Sequence, residues 1–107
     1  MELQSNMERF DLVERSAVAI RIGGTFDVSS ARRVSEEIAE SVGDRSVHLD
    51  LTQVREFHDS ALVLLSAALV RIGPRASVSG LRHHQARILR YLGVRVDDAS
   101  ELTAAVD

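Results

Sequence analysis

A polar step, His58-Asp59-Ser60, stands directly in front of the apolar run Ala61-Leu62-Val63-Leu64-Leu65. Two kinds of chemistry are open to it. An Asp or Ser side chain can accept a backbone N–H and cap a helix. A serine hydroxyl can also carry a phosphate, because the first turn of a helix offers unpaired N–H groups and the positive end of the helix dipole. Both uses require a helix to begin here. The second also requires Ser60 to face solvent. Elsewhere, His48, Asp50, His58 and Asp59 are metal-ligating types. Two of them leave a strand and two a loop, at no recognised ligand spacing, so they read as ordinary polar residues and no metal site is expected. His83 and His84 are adjacent in a helix, where their side chains diverge by about 100° and do not share one ion. No Ser-His-Asp order, phosphate-cradling glycine loop or dinucleotide fingerprint occurs, and Gly23-Gly24 reads as a turn. No enzymatic activity and no cofactor are expected.

The chain that must position these groups has 107 residues, enough for one domain with one core. Apolar residues make up 45% and aromatics only 4%, so Leu, Val, Ile and Ala must fill the interior. The formal net charge of −3 argues against a nucleic-acid binder, which carries a basic excess. A local basic cluster, Arg82, His83, His84, Arg87 and Arg90, reads first as a solvated helix face and second as a dock for an acidic partner. The absence of cysteine suits a reducing, cytoplasmic setting. No apolar run approaches the ~20 residues a membrane helix needs, so no direct membrane insertion is expected. The opening MELQSNMERF lacks the apolar centre of a signal peptide. Met7 offers a second start, so residues 1–7 read as a tail that need not be native, with the domain from 8 to 107.

Residues 8–22 read as two strands around a turn at Glu14-Arg15-Ser16, with Val18, Ile20 and Ile22 on one face. Gly23-Gly24 is expected to end the second strand. Asp27, Ser29 and Ser30 are candidate caps for an amphipathic helix over 29–42, whose stripe is Ala31, Val34, Ile38 and Val42. Residues 46–51 read as a central strand, and 52–58 as a loop. The helix from about 59 to 72 is apolar nearly all round and is expected to be buried on most sides. Gly73-Pro74 stops it. A short strand over 76–79, a helix over 83–92 and an edge strand at 94–96 follow. Asp98 with Glu101 has the spacing of a capping box and opens a last short helix to Val106. The order is α/β: a mixed, mostly parallel sheet of four or five strands, the first pair antiparallel, with about four helices.

Three stretches resemble the STAS domain of bacterial anti-sigma factor antagonists. Gly24-Thr25-Phe26-Asp27 is similar to the family's Gly-x-Leu-Asp turn. Val47-His48-Leu49-Asp50-Leu51, followed by Val54, Phe57 and Asp59-Ser60, is similar to its strand, loop and Asp-Ser signature. Gly80-Leu81 with Arg87-Ile88-Leu89, Leu92 and Gly93-Val94 is similar to its closing helix. The order and spacing of the three are more specific than any one alone. Two residues depart from the pattern: Leu62 stands where the family has glycine, and His58 where it has an apolar residue.

The resemblance implies a protein that binds an anti-sigma factor which is also a serine kinase, and that is released when Ser60 is phosphorylated. It implies a contact surface of Thr25, Asp27, Arg55, His58, Asp59, Ser60 and Leu62. Two other roles fit the same resemblance: a small subunit docking on the ATPase of a lipid-transport ABC complex, and a scaffold that no longer switches.

Overall fold

The computed structural model describes residues 6–12 and 16–96. Alternation of apolar and polar side chains builds its sheet. In β2 (Ala17–Phe26), Val18, Ile20 and Ile22 are fully buried while Arg21 is exposed. In β3 (Ser46–Phe57), Val47, Leu49 and Leu51 are buried, and β4 (Ala76–Ser79) adds Ala76 and Val78. β1 (Asn6–Leu12) pairs antiparallel with β2, and β5 (Arg95–Val96) pairs parallel with β4. The five-stranded sheet runs β1-β2-β3-β4-β5, with every pair after the first parallel.

Parallel neighbours need crossover helices, which are nearly always right-handed. A strand order that only advances therefore puts α1 (Val28–Ser41), α2 (Asp59–Ile72) and α3 (His83–Tyr91) on one face. Their apolar stripes meet the buried strand residues there. Val34 and Ile38 of α1, Leu65 and Leu69 of α2, and Leu89 of α3 complete the core. On the opposite face, Ala19, His48, Asp50, Ser77 and Ser79 keep partial exposure. The described residues hold three α-helices and one 3-10 turn, Gly73–Arg75, where four helices were expected. The expected helix from Asp98 to Val106 lies outside the described residues, as do Glu14 and Arg15 of the expected turn.

The structure changes three boundaries. Asn6 and Met7 belong to β1, and Met7 packs against the core, so the expected tail gives up its last two residues to the sheet. Gly23-Gly24 does not end β2. The strand continues to Phe26 across two register shifts, which glycine absorbs, Gly24 at φ 81°. Residues 52–57 accordingly form strand, not loop, because the extended β2 gives them a partner: Thr25 pairs with Glu56 and Phe26 with Phe57.

Asp27 caps α1. Its Oδ1 accepts the Ser30 N–H at 3.0 Å and the Ser30 hydroxyl, also at 3.0 Å. These bonds hold its carboxyl below the ordinary aspartate range. A folded-state pKa below the unfolded one gives stability that is present above the unfolded value and is lost as pH falls through the folded one. Asp27→Ala is therefore expected to lower the melting temperature at neutral pH by about 4–8 °C, as loss of a cap does in a domain of this size. The gap between wild type and variant should narrow as the pH falls below the aspartate range, while Asp27→Asn, which keeps the acceptor, should stay close to wild type at neutral pH. Thermal melts by circular dichroism across pH would check both.

Candidate functional site: the rim at the start of the second helix

The parallel strands β2 and β3 end side by side, and this brings the expected contact residues together. Phe26 and Phe57 face each other across the last register pair, their rings edge to face at 5.1 Å. The His58 N–H donates to the Phe26 carbonyl at 3.0 Å, which fixes the entry of the chain into α2 beside the start of α1. Thr25 and Asp27 therefore sit beside Glu56, His58, Asp59 and Ser60, at the carboxyl ends of the strands. That is where ligands and partners of open α/β sheets commonly bind. Arg55 is exposed one step back, at the second register shift.

His58, not Asp59 or Ser60, occupies the N-cap position of α2, and no side chain caps the helix there. The Ala61 and Leu62 N–H groups reach back to the His58 carbonyl at 3.0 and 3.3 Å. Asp59 and Ser60 are the first two residues of the helix, both exposed. The capping role expected of them thus falls to neither. An acceptor-free first turn leaves backbone donors near the Ser60 hydroxyl, and Asp59 satisfies the helix dipole from the surface. His58 lies 3.6 Å from Glu56, an ion pair when the imidazole is protonated, and also stands close enough to Asp27 to favour its charged form.

Leu62 departs from the expected contact surface. Its side chain is 5% exposed and belongs to the core. Two residues along a helix turn the side chain by about 200°, so Leu62 points opposite to Ser60. Conversely, α2 is not buried on most sides. Val63 is 69% exposed and Val70 46%, with Ala67 exposed between them. Steps of three, seven and ten place Val63, Ala67 and Val70 on one stripe with Ser60. This apolar strip runs down the helix from the rim. Sequence reasoning missed it, because a helix apolar all round gives no polar face to mark the wet side.

The remaining candidates lie elsewhere. His48 is on the helix-free face of the sheet, its Nδ1 2.7 Å from the Ser77 hydroxyl and its Nε2 3.0 Å from the Ser79 hydroxyl. Asp50 accepts from the Thr52 N–H and hydroxyl and lies 3.7 Å from Arg21. Burial works to raise its pKa but is outweighed by the Thr52 bonds and Arg21, so its carboxyl stays below the ordinary range. His48 and Asp50 are thus engaged with their own neighbours and stand apart from His58 and Asp59. No group of three or more metal-ligating side chains occurs among the described residues. No helix among them is long and apolar enough to cross a membrane.

The fold and the rim together define a STAS domain. The family model described as "Mlab, STAS domain" matches residues 12–103, and the chain belongs to this family. No curated protein sequence matches the chain. Among solved structures it is similar to the unphosphorylated anti-sigma factor antagonist SpoIIAA, with a TM-score of 0.68 and 15% identity over 94% of each chain. It is similar to the phosphorylated form of SpoIIAA, the Bacillus cell fate determinant, with a TM-score of 0.66 and 15% identity, covering 94% of this chain and 96% of that one. An anti-sigma factor antagonist from Mycobacterium paratuberculosis matches with a TM-score of 0.66 and 18% identity, covering 97% and 96% of the two chains. At these identities the likeness concerns the fold.

Proposed function

We propose that this protein is a cytoplasmic anti-sigma factor antagonist, a binding module and not an enzyme. It binds an anti-sigma factor that is itself a serine kinase, and it lets go once Ser60 is phosphorylated. The observation that supports this most is the exposed Ser60 hydroxyl on the second residue of α2, where a macromolecule can reach it. Thr25, Asp27, Arg55, His58 and Asp59 surround it as the contact surface, and Leu62 contributes only its backbone. The similarity of the fold to SpoIIAA, whose structures include a phosphorylated form, is in keeping with the reading.

Incubation with an anti-sigma kinase from the same genome and ATP, followed by intact-mass spectrometry, tests it. One phosphate on the wild type and none on Ser60→Ala is the expected result. Equal phosphate on both would remove Ser60 from the mechanism.

One observation favours a second reading, a constitutive dock on the ATPase of a lipid-transport complex. The strip of Val63, Ala67 and Val70 continues well beyond Ser60, and a permanent partner would keep it covered. Stable ATPase binding without any phosphate transfer would support that alternative. Either partner is expected to use Val63. Val63→Asp should leave the melting temperature within about 2 °C, as exposed substitutions usually do. It should weaken partner binding about tenfold or more, measured by isothermal titration calorimetry.

A further inference from the structure

α3 carries a second surface, on an element that takes no part in the Ser60 rim. Gln85, Ala86 and Leu89 are its inward residues. A helix that buries those three turns Arg87 and Tyr91 outward, with His84 and Ile88 beside them, because steps of three and four share a face. Tyr91 is 91% exposed, Ile88 47% and Leu92, at the helix end, 41%. Large apolar side chains grouped in this way and rimmed by charge mark a contact site. The surface between them is concave. His84, Arg87, Ile88, Arg90, Tyr91 and Leu92 line a shallow trough of about 670 Å³. A trough receives a convex element such as a helix, whereas a bilayer presents a flat surface. An exposed tyrosine among arginines is also the composition of protein interface cores.

The sign of the rim is uniform. From Gly80 to Val96 the sequence GLRHHQARILRYLGVRV holds four arginines and no Asp or Glu, in a chain whose net charge is −3. Elsewhere the chain supplies carboxylates to its own arginines: Asp11 and Glu37 to Arg9, Glu8 and Asp50 to Arg21, Asp11 to Arg45. On α3 the residues three and four positions from Arg87 are His83, His84, Arg90 and Tyr91, so no pair within the helix neutralises it. An arginine can donate two parallel hydrogen bonds to one carboxylate, which gives an acidic partner direction as well as attraction.

We propose that the outer face of α3 docks an acidic amphipathic helix of a partner protein. The apolar stripe of that helix lies on Ile88, Tyr91 and Leu92, and its carboxylates turn toward Arg87 and the basic residues around it. α3 carries the chain from the end of β4 back to the start of β5, so Tyr91 and Leu92 lie toward the end of the sheet away from the rim. The dock does not depend on the switch at Ser60.

Amide spectra of the full chain test it, titrated with a synthetic peptide of about four helical turns, leucine at steps of three and four and glutamate elsewhere. Shifts centred on residues 83–92 are expected, with a dissociation constant below about 1 mM. The same peptide with lysine for each glutamate should leave those residues unmoved. Arg87→Glu and Tyr91→Ala should each weaken the glutamate peptide about tenfold or more and keep the melting temperature within about 2 °C, since both side chains are exposed. Arg87→Glu should in turn gain binding to the lysine peptide. Four results would each overturn the proposal. They are no shift at residues 83–92, equal binding of the two peptides, and concentration-dependent shifts of the same residues without peptide, which would make a second copy the occupant. The fourth is cosedimentation with phosphatidylglycerol vesicles that Arg87→Glu and Tyr91→Ala abolish while neither alters peptide binding, which would make a membrane the occupant.

Discussion

Gly80→Ala is expected to abolish the cooperative thermal transition or to cost at least ~4 kcal/mol, which is most of the stability of a small domain. Gly80 sits at φ 89°, just after β4, and a Cβ there would lie 2.3 Å from the Thr52 nitrogen and 2.5 Å from the Leu51 carbonyl carbon. Both atoms are backbone of β3, the central strand, held on one side by β2 and on the other by β4. No rotamer change relieves such a clash. Either β3 shifts and takes its pairing with it, or α3 is pushed off the core. Gly93 is the control. Its φ of 90° is the same, but nothing lies within 4 Å of where a Cβ would point. Gly93→Ala should therefore cost only the ~1–2 kcal/mol of placing an L-residue in that region. Urea midpoints of the two variants measure the difference. Equal midpoints would mean that the chain at Gly80 does not pass against β3 as described.

Gly80 also illustrates what the sequence makes legible. It reads as a turn from its type alone, but the reason for the glycine is a neighbour twenty-eight residues back, which local pattern does not contain. The stripes of α1 and the alternation in β2 and β3 were legible because each repeats within its own segment, and the residues they marked, from Val18 to Leu51, are buried. Gly23-Gly24 misled because two glycines serve a turn and a bulged strand equally well. Only the presence of β3 alongside selects the strand. Gln85, a polar residue in a basic stretch, is only 1% exposed. Its side-chain oxygen accepts the Arg82 N–H at 3.0 Å and so closes the start of α3, which satisfies the polar end inside the fold. At the rim, residue types gave the place of Ser60 correctly, but the direction of each neighbour followed from helix phase. Leu62 turns inward and Val63 outward for that reason, although both looked alike in the sequence.

On the function proposed above, phosphorylation of Ser60 is expected to weaken binding to the anti-sigma factor by about 100-fold or more while changing the melting temperature by no more than about 2 °C. The two halves of that expectation have separate causes. A phosphate brings about −1.5 to −2 charges and several acceptor oxygens. In this molecule it would stand in the first turn of α2, whose backbone donors and dipole favour an anion by about 0.3–1 kcal/mol. The Ser60 side chain is exposed, so nothing in the core must move. The fold therefore tolerates the group. The rim does not stay the same, because Asp27, Glu56 and Asp59 already give it carboxylates, with Arg55 as its arginine. A partner shaped to that charge and to a small hydroxyl meets a larger and more negative surface. A hundredfold loss corresponds to about 2.7 kcal/mol, the scale of one desolvated charge left without a partner at an interface. Ser60→Ala should bind the anti-sigma factor within about threefold of wild type and ignore ATP, and Ser60→Glu should bind weakly with or without it. Titration calorimetry of the wild type, the phosphorylated protein and both variants supplies the affinities. If Ser60→Glu binds as tightly as Ser60→Ala, charge at this hydroxyl does not control the complex, and the rim would serve as a dock without a switch.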